Sequence, residues 1–190
     1  MKKSVLTFFA AFFVFCAAAS AHTGQFFHEG LHAGFAHPFG GFDHLLAMIA
    51  VGLWAAQMGG KATWIVPSTF VATMLGGWIL GMQGFTLPFH EQGIALSVLM
   101  LGLAVTFALK PSHWVTAAMI AVFAIFHGAA HGAEMPINAN AFTYVCGFLL
   151  ATLALHASGV LFAKTVLIQK NLVPSVGMII AAFGLVFILS

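Results

Sequence analysis

The sequence predicts an all-α integral membrane protein, with six transmembrane helices behind a cleaved signal peptide. Three observations carry that expectation. Of the 190 residues, 62% are hydrophobic and 5% charged, whereas soluble domains carry about a quarter charged residues. Six apolar stretches follow one another through short connections punctuated by glycine or proline. Beyond Lys2 and Lys3 at its start, the lysines all fall in the connections that such a chain would place on one side of the membrane.

The elements follow in order. Met1-Lys2-Lys3 is a basic start, Val5 to Ala18 is apolar, and Ala19-Ser20-Ala21 is a small-residue cleavage site. This is the pattern of a secretory signal peptide over residues 1–21, with an uncleaved first helix as the alternative. Phe15 ahead of Cys16 does not suit lipoprotein processing. Cleavage makes His22 the first mature residue and leaves Cys146 as the one cysteine, so no intramolecular disulfide is expected. Residues 22–38 form a polar, histidine-containing periplasmic segment, and residues 39–190 form the spanning domain.

The spans are expected at approximately 39–59, 63–82, 91–109, 113–133, 141–163 and 172–189. Each reaches or approaches the ~20 residues that cross a hydrocarbon core. Gly59-Gly60, Pro88, Pro111-Ser112, Pro136 and Pro174 punctuate the connections. Pro67 and Pro174 are expected in first turns, where proline is tolerated. With His22 outside, Lys61, Lys110, Lys164 and Lys170 all fall inside, the positive-inside pattern. That places the chain in the bacterial inner membrane with both termini periplasmic. Trp54, Trp64 and Trp114 are expected at the inner interface and Trp78 at the outer one.

The mature chain has four lysines against four acidic residues and no arginine. It has no basic tract and no phosphate-binding glycine loop, so nucleic acid and nucleotides are disfavoured as partners. The lipid bilayer is an expected partner, with a homo-oligomer left open.

Two polar clusters interrupt the apolar pattern. His37, Asp43 and His44 open the first span, and His127, His131 and Glu134 close the fourth. Ionisable groups are costly at membrane depth and usually mark an ion or proton path. Imidazole with carboxylate suits nickel, zinc, iron and cobalt. Because the two helices run in opposite directions, the clusters arrive at one depth, about 8–10 Å below the outer end. His127 and His131 are i, i+4, and His131 and Glu134 are i, i+3, so the three share a helix face. His37, His44 and Met48 are expected on one face of the first helix, with Asp43 as a ligand or as the group that fixes an imidazole tautomer. Met48 and Met135 are expected to pack.

Gly128 and Gly132 make a G-x-x-x-G step that allows close helix approach, with Gly40, Gly41 and Gly52 on the first helix as candidate neighbours. His22, His28, Glu29, His32, His90 and Glu91 lie in outside segments and could gather cations at the mouth, or simply form a solvated face. His156 is expected to hydrogen-bond helices together, and His113 to sit at the inner interface.

With these residues in hand, the chain resembles the HupE/UreJ family of hydrogenase- and urease-accessory membrane proteins. The H-x5-D-H motif falls on His37, Asp43 and His44. The F-H-G-x-[A/V]-H-G-x-E motif falls on Phe126, His127, Gly128, Ala130, His131, Gly132 and Glu134. The resemblance covers the whole chain and implies a nickel permease, sometimes a cobalt one, rather than an enzyme. It implies Ni2+ or Co2+ as the transported substrate and no permanently bound cofactor. Without an ATP motif, transport would be passive or driven by ion exchange or membrane potential. An inside-negative potential favours dication uptake by ~4.6 kcal/mol per 100 mV. The rival readings are a membrane metalloenzyme and a b-type haem protein with facing axial imidazoles.

Overall fold

The computed structural model describes residues 27–85, 87–166 and 172–190. The expected signal peptide and His22 lie outside the described residues. Among those described, every regular element is a helix: α1 (Phe27–Gly40), α2 (Phe42–Met58), α3 (Ala62–Met82), α4 (His90–Thr106), α5 (His113–Ala133), α6 (Ala141–Val166) and α7 (Leu172–Leu189).

Each apolar stretch expected to span forms a helix, α2 to α7. Of these, α3, α5, α6 and α7 are individually long and apolar enough to cross a membrane. α2 and α4 have 17 residues each, about 26 Å of helix against a core of ~30 Å. α2 reaches spanning length only together with α1, across a bend of 84°.

α1 begins within the polar segment expected to precede the spans and runs on two residues past it, to Gly40. Pro38 lies in its last turn and removes a backbone donor there. Gly41 then takes an extended conformation (φ −110°, ψ 120°) that ends one helix and starts the next. α1 folds because it has a partner. A methyl group added at Gly30 or Gly34 would strike Asn140, Thr143 or Tyr144 at the start of α6, and one at Gly147 would strike Leu31 and Phe35. Small residues let these backbones meet closely, which is how helices associate where apolar burial alone gives little drive.

The same device joins α3 to α5. Gly77 and Gly81 lie against Ile125 and Ala129, while Gly128 and Gly132 lie against Met74, Trp78 and Met82. The G-x-x-x-G step therefore meets α3 and not the first helix, as the sequence pattern had suggested. Gly52 of α2 instead meets His156 and Gly159 of α6. The glycine stripes choose partners by complementary shape, which a single helix does not reveal.

α2 is the central helix, packed against α6, α4 and α3. Ala47, Met48, Ala50, Val51, Leu53, Trp54 and Ala55 are fully buried along it. Connections match the punctuation. Gly59 and Gly60 both adopt positive φ, 72° and 52°, which glycine does at no steric cost. The Ser112 hydroxyl caps α5 by accepting the Val115 amide at 3.4 Å.

Two tryptophans depart from expectation. Trp64 and Trp114 are exposed, as interfacial residues should be, but Trp54 and Trp78 belong to the core. Trp54 Nε1 donates to the Leu109 carbonyl at 2.8 Å, so it spends its polar edge on the α4 end rather than on an interface. Pro67 also departs. α3 starts at Ala62, which leaves Pro67 inside the helix rather than in its first turn. Pro174 is in the first turn of α7.

Candidate metal site

The helix break at Gly41 builds the site. His37 sits in the last turn of α1 and Asp43 in the first turn of α2. The bend replaces the single helical face expected for His37, His44 and Met48, yet it keeps His37 and His44 together, with ring centroids 6.2 Å apart. Met48 is fully buried in the core one turn below His44. From the other side, α5 delivers His127 and His131 in its last two turns. Glu134 follows at the C-cap, its amide donating to the Ala130 carbonyl at 2.9 Å.

The four imidazoles are contiguous. Ring centroids are 4.7 Å apart for His37 and His131, 4.7 Å for His44 and His127, and 4.8 Å for His44 and His131. His127 and His131 are completely buried and His44 nearly so. All six motif residues named from sequence thus converge at the α1–α2 break and the end of α5.

Hydrogen bonds assign the tautomers. Asp43 Oδ1 accepts the His44 amide at 2.7 Å and faces His44 Nδ1 at 2.9 Å. A carboxylate only accepts, so Nδ1 carries the proton and Nε2 keeps its lone pair. Ser97 donates its one hydroxyl hydrogen to the Ile94 carbonyl at 2.6 Å. Its oxygen must therefore accept from His127 Nε2, 2.9 Å away, which leaves the lone pair on Nδ1. His44 Nε2, His127 Nδ1 and both nitrogens of His131 are buried with no hydrogen-bond partner among the described residues. Unpaired buried polar atoms are costly. Clustered lone pairs of this kind are suited to a cation.

The carboxylates bracket the cluster. Glu134 Oε2 stands 3.1 Å from His37 Nε2. The hydrogen bond from His37 holds the Glu134 carboxyl below its ordinary range, against the opposing effect of partial burial. Among the described residues, no three His, Cys, Asp or Glu side chains form a ready coordination shell. The nitrogens and oxygens meet pairwise, and gathering three on one ion requires side-chain rotation.

Above the cluster opens a cavity of about 860 Å³, lined among others by His37, Asp43, His44, His90, Glu91 and Glu134. His90 and Glu91, from the start of α4, therefore join the site mouth. His32 is exposed on α1 and does not line the cavity, and the side chains of His28 and Glu29 lie outside the described residues. Ser190 lines the same cavity, which puts the end of α7 at this end of the bundle.

Sequence reasoning missed Ser97, Tyr144, Phe70 and Phe148. Phe148 stacks on His131 with centroids 5.0 Å apart and planes 13° off parallel. Phe70 packs on His127 at 5.5 Å. Tyr144, the chain's one tyrosine, has its ring 6.0 Å from His37 and a buried hydroxyl with no hydrogen-bond partner among the described residues. Its uniqueness in an apolar helix was the signal available. Ser97 and the phenylalanines carried none.

Comparison with known proteins agrees with the motifs. The family described as HupE / UreJ protein matches residues 10–187. The chain is 49% identical over 160 residues to Protein HupE of Rhizobium leguminosarum bv. viciae, covering 84% of this chain and 83% of that protein. No solved structure matches. A match over nearly the whole length, with both histidine motifs meeting at one site, makes the chain a member of the HupE/UreJ family.

Proposed function

We propose that this protein is a permease that takes up nickel, with cobalt as a second cargo, from periplasm to cytoplasm. The cation is received by His37, Asp43, His44, His127, His131 and Glu134 between α2 and α5, and carried rather than chemically transformed. In this reading α2 to α7 are six spans of the inner membrane, residues 1–21 are a cleaved signal peptide, and both termini are periplasmic.

One observation carries the proposal. His44, whose Nε2 has no hydrogen-bond partner among the described residues, lines an open cavity that also holds three carboxylates, Asp43, Glu91 and Glu134, and the buried rings of His127 and His131 stand directly against it. The carboxylates attract a dication before any bond to nitrogen forms. Asp43 and Ser97 hold two imidazoles with a lone pair free, the usual role of groups behind metal ligands. The pairwise arrangement suits a carrier, because a transported ion must be released as well as bound.

The test is nickel uptake into proteoliposomes under an inside-negative potential. Wild-type protein should accumulate nickel, and correctly inserted His127→Ala and His131→Ala variants should not. Uptake at the wild-type rate by both variants would remove the site from consideration.

A further inference from the structure

His156 does not do what its isolation in an apolar helix suggests. It is 2% exposed, and neither Nδ1 nor Nε2 has a hydrogen-bond partner among the described residues. Among the described residues it therefore hydrogen-bonds no helices together, and burying an imidazole in this way is a cost. Its position follows a pattern. Tyr144, Phe148, Thr152 and His156 recur every four residues along the buried face of α6. Tyr144 lies by His37, Phe148 on His131, Thr152 against the Met74 sulfur at 3.9 Å, and His156 against Phe70 at 5.1 Å. Twelve residues of helix descend about 18 Å, so this face runs from the vestibule past the middle of the bundle.

The same Phe70 ring touches both His127 and His156, at centroid distances of 5.5 Å and 5.1 Å. A cation leaving His127 inward meets this ring, and the next unpaired nitrogens belong to His156. We infer that His156 is a second, deeper binding station for the transported dication, separated from the outer cluster by the Phe70 ring. Thr152 and Met74, one helical turn away on α6 and α3, offer the neighbouring oxygen and sulfur donors. This inference rests on the transport reading. It adds that the ion pauses twice on its way, which divides the loss of its hydration into two steps.

The experiment uses the full protein, purified and reconstituted, with nickel chloride as the probe. His156→Ala and His156→Gln are compared with wild type for nickel bound at saturation and for uptake as a function of nickel concentration. Both variants should bind one nickel fewer per chain. Maximal uptake should fall at least about tenfold while the half-saturating concentration stays within about twofold, because the outer site is intact. Circular dichroism confirms the fold, and the glutamine variant decides if the alanine variant does not insert. Unchanged stoichiometry and uptake in a folded variant would overturn the second station alone. So would loss of binding at both stations, which would make His156 a structural residue. Absence of uptake by wild-type protein would overturn the transport reading itself.

Discussion

The two ends of α2 use polar side chains in opposite ways. At its far end, Trp54 donates to the Leu109 carbonyl at 2.8 Å and Gln57 to the Val105 carbonyl at 3.0 Å. Those acceptors are main-chain atoms at the end of α4 and cannot swing away. At its near end, Asp43 and His44 bond one another, and His44 packs on rings that belong to other histidines. Bonds to fixed backbone staple a helix in place. Bonds between side chains beside a cavity can be exchanged for bonds to an ion. What separates the two ends is the kind of partner each polar residue has, not the residue type.

The largest effect should come from removing the exchangeable end. His44→Ala, His127→Ala or His131→Ala should lower nickel uptake about a hundredfold or more, since loss of a ligand costs at least what loss of its supporting partner does. Membrane insertion should persist, as measured by protease protection. A variant with uptake near wild type would show that its imidazole is only packed there.

Ser97 sharpens the comparison, because its bond to His127 sets a tautomer. Ser97→Ala frees Nε2 of His127 and should weaken nickel binding about tenfold, read by equilibrium dialysis. Ser97→Thr keeps the hydroxyl and should retain most of the affinity. Equal affinity in the alanine variant would mean that the tautomer is held by something else.

Protons compete with metal for imidazole lone pairs. Nickel affinity should therefore weaken on acidification, by up to about tenfold per pH unit for each proton displaced. Titration of nickel binding from pH 8 to pH 5 checks this. An affinity flat across the range would show that metal binding displaces no proton from the site between pH 8 and pH 5.

The stapled end should behave differently. Trp54→Phe and Gln57→Leu each remove one donor and should cost about 1 kcal/mol of stability, seen as a lower unfolding midpoint in detergent. Their uptake should stay near the wild-type rate. Loss of uptake without loss of stability would place that end on the transport path.

The smallest effect concerns Glu134 and His37. The carboxyl titrates below its ordinary 4.5 in the folded protein because His37 bonds it. A group lowered in this way stabilises the fold above its unfolded value, and that contribution disappears as pH falls through the folded one. Stability should therefore drop slightly below pH 4.5 in wild type and less so in Glu134→Gln. With the Glu134 side chain 53% exposed, the difference should be under about 1 kcal/mol. An identical acid profile for both proteins would show that the pair contributes nothing.

Much was legible before any coordinate. Composition and hydropathy dictate helices in lipid, because unpaired backbone groups are not tolerated there. Glycine and proline mark the ends of those helices through local backbone geometry, which is why Gly59-Gly60 and Ser112 appear where expected. His37, Asp43, His44, His127, His131 and Glu134 stood out because charge and imidazole are rare in such a chain, and alternating helix direction was enough to place them at one depth.

The tertiary structure decided what depends on neighbours. Whether residues 27–40 fold was settled by the shape of α6, since Gly34 and Gly147 gain their meaning only from the backbones opposite them. Whether Trp54 and Trp78 face lipid or core depends on how each helix is rotated about its own axis, and an apolar helix is greasy on every side. The same ambiguity hid Ser97, Phe70 and Tyr144. Helical periodicity shows which residues share a face, but only packing decides what that face meets. That is why the histidines could be named from sequence, while the lone pairs left free on His44 and His127 required the positions of Asp43 and Ser97.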